Sequence, residues 1–128
     1  MKKLMLLFLA AMLLTAYGQD TENDQGAAYV NITAEEAKEI MDTEEGYIIL
    51  DVRTQEEYDE GHIPGAILIP NTEIEKRAEE ELTDKDQLIL VYCRSGRRSK
   101  LAAEALVELG YTNIREFGGI IDWPYEVK

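Results

Sequence analysis

Cys93 is the only cysteine in this 128-residue chain, and Arg94-Ser95-Gly96-Arg97-Arg98-Ser99-Lys100 follows it directly. Four cations therefore crowd the only thiol. No acid occurs between Gln87 and Ala103, although the chain carries 26 acidic against 13 basic residues. A cysteine does its chemistry as the thiolate, and neighbouring cations favour that form. Gly96 can take a positive φ and turn backbone N–H groups inward, and a helix opening at Ser99 would add its positive end. These features predict a cup for negative charge around a sulfur atom. Cys93 is then the nucleophile, and Arg94, Ser95, Gly96, Arg97 and Arg98 line the cup and bind an anion. The blander readings are a solvated basic turn after a core strand, or a thiol buried as a small hydrophobe.

The apolar pattern says what would hold such a loop. Leu88 to Tyr92 is the most apolar short run in the chain and ends on Cys93, as expected of a strand covered on both faces. Tyr29–Ile32, Tyr47–Val52, Ala66–Ile69 and Asn113–Phe117 read as further strands. Thr33 with Glu36, and Thr54 with Glu57, form capping boxes that open two helices, the second stopping at Gly61. A third helix carries Ile74, Ala78 and Leu82 on one face, and a fourth is expected from Lys100 to Leu109, capped by Ser99 and closed by Gly110. Short strands alternating with helices imply an α/β fold with parallel pairing and helices on both faces of the sheet. In such sheets ligands bind beyond the carboxyl ends of the strands, which is where Cys93 falls.

The first residues stand apart. Lys2 and Lys3 precede an eleven-residue apolar run, Leu4 to Leu14, which reads as an export signal over 1–18; a membrane span would need about 20 apolar residues. Leu14-Thr15-Ala16-Tyr17-Gly18 is like a bacterial lipoprotein cleavage box, but Tyr17 stands where the lipid-accepting cysteine belongs. The expected product is exported to the periplasm or beyond, with no lipid anchor and no stable span in the mature chain. Residues 19–28 are small and polar and read as a mobile linker, leaving 29–128 as one domain. A hydrophobic fraction of 45% suits a single core.

Charge and composition remove whole classes of function. Without the two signal lysines, 11 basic residues face 26 acidic ones, a net charge of −15, and such a surface repels nucleic acid and anionic lipid. One cysteine cannot form an internal disulfide, and one cysteine with one histidine cannot cage zinc in a monomer. Neither metal nor cofactor is expected.

Several stretches together resemble the rhodanese family. Cys93 to Arg98 is similar to its six-position active-site loop, with cysteine first, glycine fourth and arginine sixth. Ile49-Leu50-Asp51-Val52-Arg53 resembles its central strand motif, Glu57-Tyr58-Asp59-Glu60-Gly61-His62-Ile63-Pro64-Gly65-Ala66 its signature turn, and Gly118-Gly119 with Trp123 its carboxyl-terminal ending. The resemblance runs from Tyr29 to Trp123 in order. It implies a rhodanese-like three-layer α/β/α fold with a central, mostly parallel five-stranded sheet, and a thiosulfate sulfurtransferase. In that reaction the Cys93 thiolate takes the outer sulfur of thiosulfate or a similar small anionic donor as a persulfide. It then passes the sulfur to cyanide or a thiol, which can belong to a protein. The family pattern also makes His62 architectural rather than a general base. Asp51 and Arg53 are expected to pair or brace a loop, and Trp123 to be core.

Two alternatives stay open on the residues. One is a non-catalytic rhodanese-like module that binds a partner or senses thiol oxidation at Cys93. The other is phosphatase or arsenate chemistry, but that signature places one residue more between cysteine and arginine than the four separating Cys93 from Arg98.

Overall fold

The computed structural model describes residues 28–128; the expected signal (1–18) and all of the expected linker except Ala28 lie outside them. Five strands form one sheet: β1 (Val30–Asn31), β2 (Ile48–Asp51), β3 (Ile67–Leu68), β4 (Ile89–Cys93) and β5 (Ile114–Gly119). Their order is β1-β5-β4-β2-β3, and every pairing is parallel. Four α-helices connect them: α1 (Ala34–Thr43), α2 (Gln55–Glu60), α3 (Ile74–Glu81) and α4 (Arg97–Glu108). Short 3-10 turns sit at Asn71–Glu73 and Ile120–Asp122. This is the three-layer α/β/α arrangement the sequence predicts, with β4 in the middle of the sheet.

The alternation of side chains along β4 assigns each residue to a face. Ile89, Val91 and Cys93 pack with Ala78 of α3 and Ala102, Ala103 and Leu106 of α4. Leu90 and Tyr92 pack on the opposite side with Ala37 of α1, Ile49, Ile63, Phe117 and Trp123. All five β4 residues are buried, which is why the strand reads as continuously apolar. Each large aliphatic side chain so buried contributes about 1.5–3 kcal/mol.

Both capping boxes form: Thr33 and Thr54 each accept from the amide three residues on, and Glu36 and Glu57 reach back to their amides. The start of α4 differs from the expectation. The helix begins at Arg97, three residues before Lys100, and its cap is Gly96 at φ 107°. Ser99 caps nothing; it lies in the first turn, fully buried, with its hydroxyl turned to other partners. The physical reason is steric. With Gly96 in the left-handed region the chain turns at once into the helix, so no further residue is needed to start it.

Candidate active site

Cys93 closes β4 with its side chain on the α3/α4 face and 1% of its surface exposed. The Gly96 N–H donates to its Sγ at 3.0 Å, a contact that favours negative charge on sulfur. The amino end of α4 begins at the next residue and adds its own positive field. The Cys93 thiol also reaches Ser99 Oγ at 3.4 Å.

The loop is pressed against β5. Cys93 pairs with Gly119 across a register shift, the Arg94 carbonyl accepts from Ile121 N–H at 3.2 Å, and any Cβ on Gly119 would overlap the Arg94 carbonyl and the Ser95 Cα. Glycine at 119 is thus what lets the loop close on the strand.

The predicted lining residues separate into two groups. Arg94, Ser95 and Arg97 are exposed, and among the described residues neither Arg94 nor Arg97 is paired with an acid. Arg98 is committed elsewhere: its two terminal nitrogens donate to Glu57 Oε1 at 2.8 Å and Oε2 at 3.0 Å. Those bonds hold Glu57 down at about 2, against the opposing effect of burial, with help from Thr54. The same bonds raise Arg98, against burial and with a smaller electrostatic pull from Cys93. One fork therefore ties the first turn of α4 to α2.

A second polar cluster braces the neighbouring strand end. Asp51 accepts from Arg53 Nε at 2.9 Å, from an Arg53 terminal nitrogen at 2.7 Å and from Tyr92 O–H at 2.6 Å. Tyr92 in turn accepts from the Ile63 amide at 3.1 Å, and Arg53 reaches the Gly61 carbonyl at 2.7 Å. Burial, and then the Asp51 carboxylate, push the Tyr92 phenol far above its ordinary value. Asp51 and Arg53 pair with each other, as expected. The His62 ring stacks on Tyr58 at 3.8 Å, its Nδ1 lies 2.9 Å from the Tyr58 carbonyl, and its backbone pairs with Lys128. Trp123 is core, between Phe117 and Tyr125.

Three residues at the site escape sequence reasoning. Glu57 reads in sequence as a cap and is also the anchor of Arg98. Glu116, fully buried, accepts from Ser99 O–H at 2.6 Å and Gly118 N–H at 2.9 Å, and Asn31 of β1 donates to its other oxygen. A signal for Glu116 exists: it is in phase with buried Ile114 on a strand covered on both faces, where an acid requires partners. Asn31, two residues from the next helix, carries no such signal.

A sulfur under an amide donor, at the positive end of a helix, with the exposed Arg94 and Arg97 close by in the chain, is suited to act as a nucleophile towards an anionic electrophile.

Comparison with known proteins gives a consistent picture. The Rhodanese-like domain family matches residues 33–124. Bacillus subtilis YrkF, whose provisional name is a sulfur carrier protein, is 38% identical over 83% of this chain and 57% of its own length; the chain thus spans little more than half of that relative. Thiosulfate sulfurtransferase PspE of Escherichia coli is 42% identical over 57% of this chain and 70% of its own. Among solved structures, an E. coli rhodanese with anions superposes with a TM-score of 0.60 at 38% identity, covering 64% of this chain and 96% of that one.

Proposed function

The chain belongs to the rhodanese-like domain family, and on that premise we propose that it is a sulfurtransferase that carries sulfur on Cys93. The observation that carries this reading is the 3.0 Å bond from Gly96 N–H to Cys93 Sγ, a donor already aimed at the atom that bears the charge. In the first step the Cys93 thiolate attacks the outer sulfur of thiosulfate or a similar anionic donor. The S–S bond of the donor breaks, sulfite leaves with the bonding pair, and Cys93 holds a persulfide. In the second step a thiophilic acceptor, cyanide in an assay or a thiol, takes the outer sulfur and the Cys93 thiolate returns. The loop amides stabilise the persulfide as an oxyanion hole stabilises oxygen. Arg94 and Arg97 attract the donor, while Arg98, held by Glu57, keeps the loop in shape.

The same reading places the reaction outside the cytoplasm. Residues 1–18 act as the export signal, 19–28 as a linker, and 29–128 as the catalytic domain, with Tyr17 leaving the mature protein without a lipid anchor.

The test is thiosulfate:cyanide sulfurtransferase activity of freshly reduced mature chain, read as thiocyanate, beside Cys93→Ser. Turnover in the wild type that vanishes in the variant is the expected result. No turnover with either thiosulfate or mercaptopyruvate would sink the proposal in favour of a binding or redox-sensing module.

A further inference from the structure

We propose that Cys93 and Glu116 share one proton through the Ser99 hydroxyl, so that the thiol ionises by handing its proton inward to Glu116 rather than outward to water. The inference deepens the reading above, because it concerns how the same sulfur becomes a nucleophile, but it can be tested with no sulfur donor present.

The geometry is a chain of three. Cys93 Sγ lies 3.4 Å from Ser99 Oγ, and Ser99 Oγ lies 2.6 Å from Glu116 Oε2. Ser99 has one hydroxyl proton, and although the Gly96 carbonyl at 3.0 Å and the Gly118 carbonyl at 3.4 Å also lie near it, the carboxylate oxygen is the nearest acceptor. With that proton given to Glu116, the lone pairs of Ser99 Oγ face the thiol and accept from it. Cys93, Ser99 and Glu116 are exposed by 1%, 0% and 0% respectively, so water has little access to any of the three.

Charge repulsion fixes how many protons the trio holds. A thiolate and a carboxylate separated by a single buried hydroxyl repel each other. A single negative charge avoids this penalty. A carboxylic acid is ordinarily the stronger acid of the two, and the Gly96 N–H on sulfur together with the positive end of α4 offsets that preference, so that the charge is shared between the two ends. In one arrangement the thiol donates to Ser99, which donates to the Glu116 carboxylate. In the other the thiol proton has moved to Ser99 Oγ as Ser99's own proton moved to Oε2. The S–H and the Ser O–H bonds break, a new Ser O–H and a carboxylic O–H form, and no charge enters or leaves. The resulting thiolate accepts from both Gly96 N–H and Ser99 O–H, and the neutral Glu116 donates back to Ser99. Gly118 N–H and Asn31 continue to hold the Glu116 oxygens in either arrangement.

Among the described residues, the other charged and titratable groups that act on the pair are Arg98 from α4, which feels Cys93, and Tyr29 ahead of β1, which feels both Glu116 and Glu104. Arg98 is held by Glu57. Tyr29 is neutral at neutral pH, since burial and then those two carboxylates raise it above its ordinary value. Neither offers a second place for the thiol proton. Glu116 is thus a positioning residue that acts on sulfur through Ser99.

Infrared difference spectra of the reduced full chain at neutral pH, with wild type, Glu116→Gln and Cys93→Ser compared, test this directly. The expected result is a protonated-carboxyl band in the wild type that disappears in both variants. Loss in Cys93→Ser is the decisive part, because a carboxyl protonated by burial alone would keep its band there. A wild type without the band, or a band undiminished in Cys93→Ser, overturns the proposal, and the Cys93→Ser comparison stands even if Glu116→Gln fails to fold. As a second readout, alkylation of Cys93 by iodoacetamide against pH should rise in two steps in the wild type, as coupled groups do, and in one step in Glu116→Gln. A single step at the same midpoint in both also overturns it. A protein that turns over thiosulfate but fails these tests keeps its sulfurtransferase reading and loses the shared proton.

Discussion

Arg98 and Glu57 lie 41 residues apart in sequence and meet in a two-pronged ion pair, at 2.8 Å and 3.0 Å, that fastens the cysteine loop to α2. Glu57 also closes the capping box that starts α2. One carboxylate therefore helps to start α2 and ties α4 to it, and this tie shapes the effect of each substitution around the loop.

Glu57→Gln should lower stability by about 1 kcal/mol at neutral pH, a partly exposed charged fork being worth less than a buried one. Glu57 sits at about 2 in the folded chain against an ordinary 4.5, so its contribution is complete above that ordinary value and is lost as pH falls from there towards 2. Chemical denaturation of both proteins at pH 7 and at pH ~3 should show the gap between them narrowing at the lower pH.

Arg94→Ala and Arg97→Ala should each raise KM for thiosulfate by up to about 5-fold, the scale of one exposed charge, with kcat little changed. Added salt should shrink the difference from wild type. Arg98→Ala should behave differently, costing stability and kcat together, since it releases the loop from α2. Steady-state kinetics with thermal melts on the same samples separate the two patterns.

Gly119→Ala drives a methyl group into the Arg94 carbonyl. The loop can keep its path or β5 its place, but not both. Turnover should fall by about 100-fold, the scale of a loss expected when reacting groups shift by about 1 Å, while far-ultraviolet circular dichroism still reports a folded α/β protein.

Tyr92→Phe leaves the Ile63 amide without its acceptor and Asp51 with one donor fewer, all in buried surroundings. The expected cost is about 1–3 kcal/mol, seen as a lower Tm in calorimetry. Activity per folded molecule should persist at temperatures below that transition, because the Tyr92 side chain points to the sheet face opposite Cys93.

Much of this architecture is written locally in the chain. The strand pattern, both capping boxes, the place of Cys93 at the end of a central strand and the turn at Gly96 all depend on residues a few positions apart. The start of α4 is the exception, because Ser99 looks like a cap by type. Its hydroxyl is taken instead by Glu116, Gly96 and Cys93, a competition that only the packed structure reveals.

From sequence alone, then, came the layered α/β architecture, the one nucleophile and its cationic surroundings, because periodicity, capping and the positive φ of glycine act over one or two turns of chain. Tertiary structure alone decided which arginine is spent on Glu57 and which two stay exposed. It also decided that Glu116 and Ser99 stand behind the sulfur. Those choices depend on which side chains meet across the sheet, where parallel register brings Asn31 opposite Glu116 and Glu116 opposite Val91, and no local rule of spacing carries that information.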